Sequence, residues 1–233
     1  MQSTEPELTQ RLKREAALRA LEDVHDGMVL GLGSGSTAEI WLAELAVRVG
    51  DGLRVVGVPT SRRVEMLASE LGVPLTSLDA HKYLDITVDG ADEVDPRTLG
   101  LIKGRGGALV REKLVARATR QEIIIVDEGK LVSTLGEQRP VPVAVVPFGW
   151  RHTARRLERL DCRWTLRMQA DGSVFVTDDG NYILDCAFGP IADPARLAGL
   201  IDATRGVVEH GIFLGLAQRV IVAARDGLRV LHV

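Results

Sequence analysis

Four short segments of this chain concentrate residue types that handle charged, oxygen-rich small molecules. The first is Gly31-Leu32-Gly33-Ser34-Gly35-Ser36-Thr37. It leaves an apolar run and opens a helical one. Its glycines permit a tight turn, and its amides fall at a helix start, where anions are attracted. The hydroxyls of Ser34, Ser36 and Thr37 add short donors, which suits a phosphate. A dinucleotide fingerprint needs glycine where Ser36 stands and an acid after the next strand, but that strand ends Val58-Pro59-Thr60-Ser61. A nucleoside-triphosphate loop needs lysine where Gly35 stands. A plain serine-capped turn and a phosphate cradle both stay open on these residues alone.

The second segment, Asp89-Gly90-Ala91-Asp92-Glu93, puts three acids in five residues at the end of an apolar run. Carboxylates there hold sugar hydroxyls or shuttle protons, and a polar surface loop has the same composition. The third, Lys103-Gly104-Arg105-Gly106-Gly107, feeds a helix that carries Glu112. Glu112 falls outside the apolar arc of Val110, Leu114, Val115 and Ala118, so by itself it reads as an exposed residue on a charged face. The fourth, Asp127-Glu128-Gly129-Lys130, again follows an apolar run. Four such loops, each after a strand, converge on one sheet edge if the strand assignments hold.

The positioning elements follow from periodicity. Helices are expected at about 7–23, 38–49, 64–71 and 107–120, alternating with buried strands at 29–32, 55–58, 84–89 and 123–126, with a loop from 90 to 103. Strand–helix alternation with apolar strands predicts a parallel, doubly wound α/β sheet. Beyond residue 140 the pattern changes to strands at 141–146, 164–168, 173–177, 182–187 and 207–213 and helices at 152–160 and 194–204, which predicts a small α+β domain. The last strands, 220–223 and 228–231, are expected to rejoin the first sheet.

Composition narrows the function classes. The chain has 233 residues and a net charge of −3. It has no basic block, which argues against a general nucleic-acid binder. No apolar run approaches the ~20 residues that span a bilayer, so no membrane partner is expected. Two cysteines without metal-ligand spacing read as reduced thiols, and the expected location is cytoplasmic. The five histidines show no ligand spacing and no nucleophile partner.

GLGSGSTA, DITVDGADEVD, LIKGRGGALVREKLVA, VDEGKLV and GNYILDCAFGPI stand in the order and spacing of type A ribose-5-phosphate isomerases. The chain resembles that family from about Lys13 to about Ala217. The resemblance implies a Rossmann-like catalytic domain, here 1–130 plus 208–233, with an inserted ferredoxin-like α+β domain at 131–207. It implies a small sugar phosphate as substrate, no cofactor and no metal, and assembly as homodimers or tetramers. It further implies a phosphate loop at Ser34, Gly35, Ser36 and Thr37 helped by Lys13, and acids Asp89 and Asp92 flanking Gly90 and Ala91. By the same resemblance Lys103 would match the lysine beside the reacting oxygens, with Gly104, Arg105 and Gly106 following it, Glu112 would match the base, and Lys130 a further substrate lysine. Many members carry glycine where Arg105 stands. Two rival readings stand beside it. A sugar-phosphate sensor would need a DNA-binding module, for which about 25 residues before the first strand are too few. An amino-sugar isomerase–deaminase would place a paired histidine near the acids.

Overall fold

A computed structural model describes residues 5–232 of the chain. Among them, contacts divide the chain into two compact units, one built from residues up to 91, 111–131 and from 215 onward, the other from 92–110 and 132–214. The sequence reading instead divides the chain at 130/131 and 207/208. Segment 92–110 accounts for most of the difference.

The larger unit holds six strands in the order β13 (Gly227–His232), β12 (Ala217–Ala224), β6 (Thr119–Asp127), β3 (Leu84–Asp89), β1 (Val29–Leu32) and β2 (Val56–Pro59). Every neighbouring pair is parallel except β12 and β13, which form an antiparallel hairpin. The tail therefore rejoins the sheet as expected. Four helices belong wholly or mainly to this unit: α1 (Glu5–Leu21), α2 (Ser36–Gly50), α3 (Arg62–Glu70) and α4 (Leu109–Arg117). Leu30, Leu32, Ile86 and Val88 pack with Trp41 and Leu45 of α2, Ala16 of α1 and Val64 of α3. Val58 and Leu84 form a second cluster with Val115 of α4. Gly31, between Leu30 and Leu32, turns the opposite way toward Thr87 and Val115, so both faces of the parallel strands are covered. Ser61 caps α3, accepting the Val64 N–H at 3.2 Å.

In the smaller unit the chain order is β7 (Val141–Val145), α5 (Trp150–Leu157), β8 (Arg163–Leu166), β9 (Tyr182–Ala187), α6 (Pro194–Asp202) and β10 (Val207–His210). The strands form an antiparallel sheet in the order β10-β7-β9-β8. Val143, Val145, Leu184 and Cys186 pack with Ala154 and Leu157 of α5 and Ile201 of α6. Helix α6 starts at Pro194, with Asp193 accepting the Arg196 N–H at 2.9 Å, the expected chemistry of a helix start.

Three expectations change. The loop expected at 90–103 contains β4 (Glu93–Asp95) and β5 (Gly100–Ile102), which form a small sheet with β11 (Ile212–Phe213). Strands of two or three residues are too short to display a period of two. The strand expected at 207–213 breaks at Gly211, where a Cβ would lie 2.3 Å from the Lys103 carbonyl oxygen. The strand expected at 173–177 makes only isolated bridges, Met168 to Val174 and Val176 to Tyr182.

Candidate active site

In the larger unit the chain leaves β1 through α2 toward β2 on one side, and leaves β3 through α4 toward β6 on the other. The sheet's switch point therefore lies between β1 and β3, where open α/β sheets take their ligands. Ser34 and Asp89 stand at this point. Asp89 is 1% exposed at the end of β3. Its Oδ1 accepts the Ser34 N–H at 3.0 Å and the Gly90 N–H at 2.7 Å. Gly33 has no alternative here, since a Cβ would meet the Val88 carbonyl oxygen at 2.4 Å.

The glycine-rich turn ends at Gly35, which starts α2 without any side-chain cap. The first amides of a helix lack intrahelical partners, so such an end attracts anions. Lys13 of α1 donates to Ser36 Oγ at 2.9 Å, setting an ammonium beside this end. Thr37 lies buried in the first turn of α2. The expected loop hydroxyls part company at Ser34, which donates to Ser61 Oγ at 3.0 Å and lies 2.8 Å from Thr60 Oγ1. Its hydroxyl is engaged within the protein, a role that residues 60 and 61 did not reveal in sequence. Lys130 is half-buried in the short turn Glu128–Lys130 after β6, where Asp127 accepts the Gly129 N–H at 3.1 Å.

Glu112 reverses its expectation. It is 5% exposed, and its neighbour Lys113 is 2% exposed, while Leu114 is 53% exposed. The buried face of α4 thus carries a carboxylate and an ammonium, and the presumed apolar arc is partly solvated. Ionisable groups are rarely buried outside paired or functional settings. Hydrophobic periodicity misses such a face because Glu112 and Lys113 are buried alongside Leu109, Val115 and Ala116.

The smaller unit holds the other candidates. Lys103, 2% exposed, follows β5, and its Nζ lies 5.6 Å from the Phe213 ring centroid. The Lys103 N–H donates to the Gly211 carbonyl at 2.9 Å. Gly104 and Gly107 adopt φ values of 101° and 85°, a left-handed turn open to glycine. Asp92 accepts the Arg105 N–H at 3.0 Å. Its neighbour Glu93 is fully buried and accepts N–H groups from Gly136, Gln138 and Arg139 at 2.6 Å each. Of the three acids in this segment, Glu93 is therefore a staple for the 136–139 loop. A cleft of about 330 Å³ is lined by Asp92 and Arg105 together with Arg139, Arg167 and Asp185, three residues that sequence reasoning missed.

A charged switch point beside an uncapped helix start is the architecture of α/β enzymes that take small phosphorylated ligands. The family model for ribose 5-phosphate isomerase A (phosphoriboisomerase A) matches residues 56–227. The ribose-5-phosphate isomerase A of Thermomicrobium roseum is 54% identical, over 96% of this chain and 94% of that one. The solved ribose 5-phosphate isomerase A of Methanocaldococcus jannaschii is 40% identical, with a TM-score of 0.93 over 97% of this chain and 100% of that one. A D-ribose-5-phosphate isomerase solved in complex with phospho-erythronic acid gives the same identity and score, over 97% of this chain and 99% of that one. The chain belongs to the ribose 5-phosphate isomerase A family.

Proposed function

We propose that this chain moves a proton between two carbons of its substrate with Glu112 as the base and Lys103 as the cation that meets the developing charge. The reaction is the interconversion of D-ribose 5-phosphate and D-ribulose 5-phosphate. In the open-chain aldose the C2 proton is acidified by the C1 carbonyl. A carboxylate takes that proton, leaving a cis-enediolate, and returns it to C1 to give the ketose as the O2 hydroxyl proton passes to O1. One residue serves both steps, and general-base catalysis of this kind contributes about 10²–10⁴-fold.

The enediolate oxygens gather negative charge, and prearranged donors there often supply the largest single contribution. Of the turn expected to supply amides from Gly104 to Gly107, Lys103 and the Gly106 N–H are the donors assigned to it, since the Arg105 N–H is on Asp92 and the Gly107 N–H on the Gly104 carbonyl. The substrate rests mainly as a furanose. Asp89 takes the anomeric hydroxyl proton as the ring opens, with Asp92 assisting and Gly90 and Ala91 lining the approach. The start of α2, with Gly35, Ser36, Thr37 and Lys13, grips the phosphate, and Lys130 adds a further positive charge. Ser34 contributes through the shape of the turn, its hydroxyl being held by Thr60 and Ser61. Holding the far end of the substrate keeps the reacting carbons in register.

The observation that carries this reading is the burial of Glu112 on a helix whose hydrophobic pattern would have left it in water. A second inference concerns the fold. The β-α-β-β-α-β order of the smaller unit, with strands arranged fourth-first-third-second, supports a ferredoxin-like domain within the α/β frame. The test of function is a coupled assay with ribose 5-phosphate on Glu112→Gln. The variant is expected to bind phospho-erythronic acid as the wild type does while losing most turnover. Unchanged turnover removes Glu112 from the base role.

A further inference from the structure

Arg167 stands one residue beyond β8 and is fixed along its backbone. Its N–H donates to the Ile183 carbonyl at 2.9 Å, and its carbonyl accepts the Phe175 N–H at 2.9 Å. Its guanidinium Nη1 donates to two carbonyls of the glycine turn, Gly104 at 3.0 Å and Arg105 at 2.9 Å. The remaining edge faces Asp185 of β9, with Nε 2.9 Å from Oδ2 and Nη2 bonded to Oδ1. Both side chains are largely withdrawn from water, at 14% and 22% exposure. The Phe175 ring lies 5.8 Å from the guanidinium carbon and fills the place a Cβ at Gly107 would occupy, 2.5 Å away. Arginine, aspartate and phenylalanine of the antiparallel sheet region thus close on one short turn.

The consequence lies in the peptide planes. A trans peptide points its C=O and N–H in opposite directions. With the Gly104 carbonyl on Arg167, the Arg105 N–H points away from it, and it meets Asp92 Oδ2 at 3.0 Å. The Arg105 carbonyl shares a peptide with the Gly106 N–H, so that donor is directed away from Arg167 as well. A cation on the carbonyl side also polarises each peptide and strengthens its N–H as a donor. No lysine reproduces this, since an ammonium lacks the planar fork that serves a carboxylate and two carbonyls together.

We propose that Arg167, oriented by Asp185, is a positioning residue that aims the donor face of the Lys103–Gly106 turn at the enediolate. This rests on the role given to Lys103 above. The test measures kcat, KM and thermal midpoint for Arg167→Ala, Arg167→Lys, Asp185→Asn, Lys103→Ala and the Lys103→Ala/Arg167→Ala pair. Arg167→Ala is expected to lower kcat by about 10²-fold, the scale of an ångström-sized misplacement, while KM moves by less than about 3-fold. Arg167→Lys gives no rescue. Asp185→Asn, which keeps volume and loses charge, lowers kcat by about 10-fold and carries the test should Arg167→Ala fail to fold. The double variant is expected to be within about 3-fold of Lys103→Ala, because the two residues act as one unit. Wild-type kcat in folded Arg167→Ala or Asp185→Asn overturns the proposal, as does a loss expressed only in KM or a double variant whose loss is the product of the single losses. Full kcat in Lys103→Ala removes the role of Lys103 itself, and the proposal with it.

Discussion

Two glycine turns present donors in this molecule; an aspartate takes an N–H of each, and only the second is also held by its carbonyls. In the larger unit the Gly33–Gly35 turn is held by an amide, with Asp89 taking the Ser34 N–H at 3.0 Å. In the smaller unit the Gly104–Gly107 turn is held by carbonyls, with Arg167 taking those of Gly104 and Arg105. A turn held through an N–H has one donor fewer for a ligand. The first turn compensates with the uncapped start of α2 and with Lys13 at 2.9 Å from Ser36. The second has its Arg105 N–H on Asp92 at 3.0 Å and its Gly107 N–H on the Gly104 carbonyl at 2.9 Å, which leaves the Gly106 N–H and the Lys103 ammonium as its donors. The chemistry each turn can serve matches the difference. A helix start with an ammonium suits a phosphate that stays charged throughout, while a glycine amide and a buried cation suit charge that develops during reaction.

Substitutions at the two turns sharpen or break this contrast. The largest effect is expected for Lys103→Ala, a fall in kcat of about 10²–10³-fold, with affinity for phospho-erythronic acid much less changed. A loss confined to affinity reassigns Lys103 to phosphate binding. Next is Gly33→Ala, whose Cβ would stand 2.4 Å from the Val88 carbonyl oxygen and 2.5 Å from the Asp89 Cα. Backbone cannot give way cheaply, so thermal unfolding should show a loss on the order of 1–3 kcal/mol. Gly106→Ala, which meets nothing within 4 Å, serves as its near-neutral counterpart in the other turn. Equal midpoints for the two alanine variants contradict the packing argument.

Thr37→Ala comes third. Losing one hydrogen bond to a charged group costs about 1.5–3 kcal/mol, so titration with phospho-erythronic acid should show at least about tenfold weaker binding. Ribose, which lacks the phosphate, should bind as before; equal weakening of ribose speaks against a phosphate grip at α2. The smallest effect concerns Asp95 of β4. Burial pushes its pKa up, but the hydrogen bonds and charge of Arg97 outweigh this and leave it below the usual carboxylate range. A depressed carboxylate pKa adds stability above the unfolded value and loses it as pH falls through the folded one. Asp95→Asn should therefore be less stable than wild type at neutral pH, with the gap closing as pH drops below about 4. A gap independent of pH assigns the loss to shape alone.

What the sequence made legible divides along similar lines. The parallel strands and their helices were readable because long apolar runs alternate with periodic segments, as at Leu84–Asp89 and Ala38–Val49. The placement of Asp89 and the glycine loop at strand ends followed from those runs. Glu112 resisted, because helix periodicity assumes that inward residues are apolar and α4 buries Glu112 and Lys113 as well as Leu109, Val115 and Ala116. Its candidacy came from resemblance to a family. Glu93 resisted for another reason, since nothing local separates an acid that staples a loop from one that meets a ligand. Arg167 and Asp185 carried no signal at all, being 18 positions apart and joined only when β8 and β9 pair. The strands β4, β5 and β11 were too short for any period to show, and Gly211 breaks a run that reads as continuous. No helix among the described residues is long and apolar enough to cross a membrane.

The central claim is that the Glu112 carboxylate carries the proton between C2 and C1. Its most direct measure is proton–deuteron exchange at C2 of ribose 5-phosphate in D₂O, followed by NMR with wild-type and Glu112→Gln protein at matched saturation. The account predicts rapid exchange with the wild type and a loss of about 10²-fold or more in the variant. Wild-type exchange rates in a folded, ligand-saturated Glu112→Gln protein contradict it.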